Sequence, residues 1–426
     1  MAALAALGKP HEGLDAIVIA GSNGKGSVAA MLDRIGREAG LSTGLYTSPH
    51  LVRYNDRIRL SGVPIADDAL EEALERVFRE APEELTFFET LTMAAFVAFR
   101  DAQIELAILE VGLGGRLDAT NVVPAPLATA IVSITAGEDG RHLEHADLLG
   151  RTAPEIAREK AGILRKGVPA ILGPMQSEAR EAVLSHAEEI GASPLWEIAW
   201  ASTEPDRTAR DEGPTSALVA TLTEQPRGGS LTLPDGDSLS IAPRLVGRHQ
   251  LANGAVAAAT AKLAARRLLP LASAIESGLR LATWPGRLER VELAGRGITV
   301  WLDCAHNLDG ARALVEAAPR LGISPERTSL VFGALADKAY EPFLRLVAPL
   351  ASLRFYAEPG GRAPAPLSEL ARIATGEAVG DPVRALERAI ASTALGGIVL
   401  VTGSIYLVGA LRAHLFRERH DAPIGL

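Results

Sequence analysis

Cysteine is almost missing: Cys304 is the single one in 426 residues. That excludes an internal disulfide and fits a reducing compartment. Aromatic residues make up only 4%. No apolar run approaches the roughly 20 residues that a bilayer span requires. Residues 1–7 are apolar but short and lack a charged flank, so they do not read as a signal peptide. No basic block interrupts a net charge of −9, which argues against nucleic acid as a partner. Repeats and low-complexity tracts are also missing. The expectation is a cytoplasmic protein with no membrane and no nucleic-acid partner. What the chain has in quantity is apolar surface, with 47% hydrophobic residues, enough for buried cores rather than long disordered regions. Its length exceeds one ordinary core, so two or three domains are expected.

Strand-like runs at 17–20, 106–111, 128–134 and 168–172 alternate with helical stretches at 28–38, 67–80, 88–101 and 152–164. Continuous apolar runs of this length suit a mostly parallel sheet covered on both faces. Residues 205–229 are polar, and 231–241 alternate around Asp235-Gly236, a hairpin signal. This predicts an antiparallel appendage. Helix resumes at 253–269 and 271–281. Trp284-Pro285-Gly286-Arg287 breaks the pattern and reads as a linker. A smaller Rossmann-like α/β unit follows, with strands at 298–302, 329–332, 353–356 and 398–401 and a short one at 376–379. The reading is α/β: a P-loop-type domain over 1–284 and a second domain over 285–426.

The apolar run 16–19 breaks into Ala20-Gly-Ser-Asn-Gly-Lys-Gly-Ser27. Gly21, Gly24 and Gly26 let backbone N–H groups converge on an anion. Lys25 adds a mobile positive charge, and the following helix points its N-terminal dipole at the same place. Strand, glycines, lysine and helix start coincide, so this loop is read as a nucleoside triphosphate cradle. It is a variant, because Gly26 separates Lys25 from Ser27 and the strict P-loop spacing is not met.

Glu110 ends a buried strand and enters Val111-Gly-Leu-Gly-Gly-Arg-Leu-Asp118. Ligands of open α/β sheets bind beyond the strands' carboxyl ends, so Glu110 could hold Mg²⁺ or serve as a structural partner. The dinucleotide spacing fails there, since the third glycine would fall at Leu117. Ser48, in Thr47-Ser-Pro-His50, has a hydroxyl suited to Mg²⁺, or is a turn residue before proline. His50 receives no role. His142, His145 and Lys160 cannot be assigned by spacing alone. Asp303 sits at a strand end, Cys304 reads as a packing residue, and Gly403-Ser404 ends another strand.

Several blocks then stand together. Gly21–Ser27, Thr47–His50, Glu110–Asn121 and Glu159-Lys-Ala-Gly-Ile163 resemble folylpolyglutamate synthase/dihydrofolate synthase, a branch of the Mur ligase superfamily. Gly247-Arg-His-Gln250 with Asn253, Pro285-Gly-Arg287, Asp303-Cys-Ala-His-Asn307, Phe332-Gly-Ala-Leu335 and Gly403-Ser404 with Tyr406 continue it in family order over nearly the whole chain. The resemblance implies an ATP-binding central domain, a C-terminal glutamate-ligase domain, and ATP-dependent joining of L-glutamate to dihydropteroate or to folates through an acyl phosphate. It gives ATP phosphates to Gly24, Lys25, Gly26 and Ser27, and nucleotide contacts to Asn253, Arg287 and Asp303. Two Mg²⁺ ions follow, one on Ser48 and Glu110 and one on His145. Lys160 matches a carbamylated lysine, and with Lys25 and His145 it makes the implied catalytic set. Thr86, Phe87, Phe88, Glu89 and Leu117 match positions lining a pterin site, where aromatic rings stack on a flat heterocycle. Glu144-His145 replaces the usual Asp-His, Cys304 a usual glycine and Ser22 a usual threonine.

Two other readings compete. A Mur-type peptidoglycan precursor ligase needs an N-terminal domain for its uridine nucleotide, yet only about sixteen residues precede the first strand-like run. A catalytically inactive nucleotide-binding protein has no reason to carry Lys25, Glu110, His145 and Lys160 together. The protein is expected to be a monomer acting on small molecules.

Overall fold

The structure, a computed structural model, describes residues 1–82, 84–135, 149–201, 217–268, 272–293 and 295–421. Two compact units emerge. The first comprises Met1–His50, Asn55–Arg244 and Gln250–Thr283, and the second Leu51–Tyr54, Leu245–His249 and Trp284–Leu426.

The first unit is built on an eleven-stranded sheet among the described residues. Its strands are β1 Ala16–Ala20, β2 Thr43–Tyr46, β3 Ile58–Leu60, β4 Val63–Pro64, β5 Leu106–Glu110, β6 Ala128–Ile131, β7 Ala170–Leu172, β8 Leu195–Trp200, β9 Leu218–Gln225, β10 Gly228–Thr232 and β11 Ser238–Ile241. Their spatial order is β11-β10-β9-β8-β7-β6-β1-β5-β2-β3-β4. The central strands are parallel and buried along their whole length, which is why they read as unbroken apolar runs. Their register sets the site: Ile19 lies opposite Glu110, Ala20 opposite Ile131, and Tyr46 opposite Leu109. The tips of β6, β1, β5 and β2 therefore finish side by side.

Antiparallel pairing occurs among β9, β10 and β11. These strands continue the same sheet, because β9 pairs in parallel with β8. β8 and the β3–β4 hairpin add strands that the sequence reading did not contain. β6 stops at Ile131 rather than 134, since Ser133 turns aside to accept a hydrogen bond from Ser22 N at 2.7 Å. The helix after β11 runs Arg248–Leu268, more than a turn longer than expected.

The second unit has six strands: β12 Glu289–Leu293, β13 Ile298–Leu302, β14 Thr328–Phe332, β15 Leu353–Ala357, β16 Glu377–Gly380 and β17 Ile398–Thr402, in the order β12-β13-β17-β14-β15-β16. β12 is an antiparallel edge, and its charged alternation, Glu-Arg-Val-Glu-Leu, hid it from the apolar pattern. Strand alternation splits the apolar residues into two cores. Leu330, Phe332, Tyr356 and Leu400 pack on one side, and Val331, Phe355, Val399 and Val401 on the other. No helix among the described residues is long and apolar enough to cross a membrane.

Candidate active site

The loop after β1 is tied down by its neighbour strand. Asn23 N donates to Ser133 Oγ at 3.1 Å, and Ser133 Oγ donates to Asn23 O at 3.0 Å. Thr135 N donates to Ser22 Oγ at 3.1 Å. Gly24 then caps helix Lys25–Glu38 with φ of +84°. A side chain is excluded there, because a Cβ would lie 2.6 Å from Asn253 Oδ1 and 2.9 Å from Val132 Cγ1. Asn253 is itself fixed. Its Nδ2 donates to Gln250 Oε1 at 3.0 Å, and Gln250 Nε2 donates to Ser27 Oγ at 3.3 Å. The first N–H groups of the helix, from Lys25 to Ser27, have no partner within their own helix, the arrangement that suits an anion.

Two ammonium groups meet at this loop. Lys25 Nζ folds back to donate to Gly21 O at 3.1 Å and Ser22 O at 3.4 Å. Lys160 Nζ, from helix Ala153–Ala161, donates to the same Gly21 O at 2.9 Å and is buried. The glycine-rich segment after β5 positions that helix. Gly115 runs so close that a Cβ would lie 2.9 Å from Lys160 O. Arg116 Nε pairs with Glu159 at 3.0 Å, and Asn121 Nδ2 donates to Gly162 O at 3.0 Å. Asp118 braces the segment by accepting from Leu113 N and Thr120 N, each at 2.9 Å. The block Glu110–Asn121 thus holds Lys160 against the glycine-rich loop after β1.

Glu110 is buried at the tip of β5, and its Oε2 accepts from Ser48 N at 3.2 Å. A carboxylate and a hydroxyl on neighbouring tips form a hard-oxygen donor pair. Among the described residues no group of three or more His, Cys, Asp or Glu side chains could hold a metal ion. His142, Glu144 and His145 lie outside the described residues.

Beside this pair stands an aromatic cluster. Phe88 packs 6.0 Å from Tyr46, ring centre to centre, and lies so close to Gly112 that a Cβ there would sit 2.4 Å from its ring. Burial raises the Tyr46 phenol pKa well above its ordinary value. Thr86 and Glu89 form a capping box on helix Phe87–Asp101, with their polar atoms engaged with each other. Leu117 is 80% exposed.

In the second unit, both Asp303 oxygens accept backbone N–H groups, Oδ2 from Leu288 at 3.0 Å and Oδ1 from Ala305 at 3.1 Å. Arg287 lies in the turn just before that strand pair, its N donating to Trp284 O at 3.3 Å. Cys304 is buried, and burial pushes its thiol up to about 12. Ser404 caps helix Ile405–Phe416.

Lys25, Lys160, Ser48, Glu110 and Asn253 are thus gathered at the tips of β1, β5 and β2, with Phe87 and Phe88 alongside. Sequence reasoning passed over Ser133. Ser133 had a signal, as one of two polar residues, with Thr129, in the run 128–134.

Residues 286–405 match the family described as Mur ligase, glutamate ligase domain. The chain is 32% identical over 430 residues to the dihydrofolate synthase/folylpolyglutamate synthase of Bacillus subtilis (strain 168), covering 97% of this chain and 93% of that protein. Its fold matches Escherichia coli FolC in complex with DHPP and ADP with a TM-score of 0.82 at 29% identity, covering 98% of this chain and 92% of that one. It also matches the bifunctional folylpolyglutamate synthase/dihydrofolate synthase of Yersinia pestis, complexed with AMPPNP and Mn ion. There the TM-score is 0.79 at 29% identity, with 97% and 91% covered.

Proposed function

The chain belongs to the folylpolyglutamate synthase/dihydrofolate synthase family, and we propose that it adds L-glutamate to dihydropteroate, to folates, or to both. It is an ATP-dependent carboxylate–amine ligase. The acceptor carboxylate attacks the γ-phosphorus, ADP leaves, and an acyl phosphate forms. The amine of L-glutamate then attacks the acyl carbon, phosphate departs, and the nitrogen loses a proton.

The observation that carries this reading is the convergence of Lys25 and Lys160 on Gly21 O, beside the Ser48–Glu110 pair. Backbone N–H groups of Gly24 to Ser27, with Lys25, hold the triphosphate. Asn253, Arg287 and Asp303 contact the nucleotide. The ADP, AMPPNP and Mn ion of the Escherichia coli and Yersinia pestis structures support an ATP and divalent-metal requirement. The hard-oxygen pair of Glu110 and Ser48 fits Mg²⁺, with a second ion assigned to His145. Bound there, Mg²⁺ neutralises charge on the triphosphate. We propose that the Lys160 ammonium, after losing protons and adding CO₂, acts as its carbamate, which turns a buried cation into an anion. Phe87, Phe88 and Leu117 supply apolar faces for the pterin, and the Thr86–Glu89 capping box holds the start of their helix. Residues 1–284 form the ATP-binding domain and 285–426 the glutamate-ligase domain. The protein works as a cytoplasmic monomer on small molecules.

The test is phosphate release by purified protein with ATP and Mg²⁺. Release that needs both L-glutamate and dihydropteroate or tetrahydrofolate is expected. Release indifferent to both overturns the reading. Dihydropteroate and tetrahydrofolate supplied singly assign the acceptor.

A further inference from the structure

Arg57 is only 2% exposed. It ends the short 3-10 turn Tyr54–Arg57 that leads into β3, and it touches two separate parts of the site. Its carbonyl accepts from Thr47 N at 2.9 Å, and its Nε donates to His50 Nδ1 at 3.1 Å. Both contacts grip the segment 47–50, whose Ser48 N–H reaches Glu110. With Nδ1 accepting, the hydrogen bond assigns the His50 ring proton to Nε2. On its other side, the Arg57 guanidinium carbon sits 5.2 Å from the centre of the Phe87 ring, a cation–π contact. Phe87 opens the helix whose next residue, Phe88, packs on Tyr46 and Gly112.

One buried side chain therefore links His50, in the segment that presents Ser48, to Phe87 of the aromatic cluster. We infer that Arg57 is a positioning residue, coupling the segment that presents Ser48 to the ring that receives the acceptor. This rests on the functional reading above. Lysine cannot replace it fully: it keeps a cation near the ring but has no Nε–H in a planar fork to hold His50.

The test uses Arg57→Ala, Arg57→Lys and Phe87→Leu with two binding measurements, each made well below the variant's melting temperature. One is the Mg²⁺ concentration that half-saturates binding of a nonhydrolysable ATP analogue, by calorimetry. The other is the Kd for dihydropteroate, by pterin fluorescence. Arg57→Ala is expected to raise both by about fivefold or more, the scale of one desolvated cation–π or charged hydrogen bond. Phe87→Leu should raise only the dihydropteroate Kd. Arg57→Lys should keep that Kd within about twofold of wild type while the Mg²⁺ requirement stays raised. Arg57→Ala moving one readout or neither overturns the coupling. Should Arg57→Ala fail to fold, Arg57→Lys decides: a split between the readouts upholds the inference, and equal or null changes refute it. Wild-type protein that binds neither dihydropteroate nor tetrahydrofolate instead refutes the functional reading.

Discussion

Lys160 shows how one residue joins this site and why it was hard to find. Its ammonium is buried and reaches Gly21 O across 139 positions of sequence. Helical spacing carries no trace of such a partner, so only the resemblance drew attention to it. Lys160→Ala is expected to cut ligase activity about a hundredfold or more, on the scale of losing one preorganised charged group. Added bicarbonate should not restore it, and near-wild-type turnover would remove the residue from the reaction. Gly24 was legible locally, because a strand that breaks into glycines before a helix needs a left-handed residue. Gly24→Ala must place a Cβ 2.6 Å from Asn253 Oδ1 at φ of +84°. Calorimetry should show weaker ATP-analogue binding with little change in dihydropteroate affinity. Unchanged nucleotide affinity would contradict the close packing of loop and Asn253. Arg57 and Gln250 act through side-chain contacts to distant segments, which no local pattern announces.

At the scale of elements, the apolar strands were readable because parallel, doubly covered strands have no polar face to interrupt them. Their ends were less readable. β6 stops where Ser133 turns to the loop after β1, an event set by another segment. β12 escaped because its residues alternate in charge. Helix Phe87–Asp101 depends on its N-terminal capping box. Thr86→Ala should destabilise the protein by about 1 kcal/mol and loosen Phe87 and Phe88. Hydrogen bonds from Thr86 hold the Glu89 carboxyl below its ordinary range. A depressed carboxyl stabilises the fold above its unfolded value of about 4.5, and the contribution disappears as pH falls through the folded value. Melting temperatures between pH 6 and 3 should therefore fall less steeply for Thr86→Ala than for wild type. Parallel curves would show that the Thr86 hydroxyl contributes nothing to acid sensitivity, since the Thr86 N–H bond to Glu89 remains.

For the molecule as a whole, the class of fold follows from alternating strands and helices, whereas strand order does not. β8 joining β9 in parallel, with β10 and β11 continuing antiparallel, depends on pairing between segments that share no local signal. The second unit encloses the chain's single cysteine between its sheet and helices. With its thiol pushed up to about 12, Cys304 should resist thiol reagents at pH 8 in the native protein and react fully in denaturant. Rapid native labelling would contradict that packing. The account as a whole depends on where the nucleotide and its metal bind. A crystal structure with a nonhydrolysable ATP analogue and Mn²⁺, read by anomalous scattering, tests this most directly. The account predicts phosphates on the Gly24–Ser27 backbone and a manganese peak between the Ser48 hydroxyl and the Glu110 carboxylate. A nucleotide seated elsewhere, or manganese bound without either residue, would contradict it.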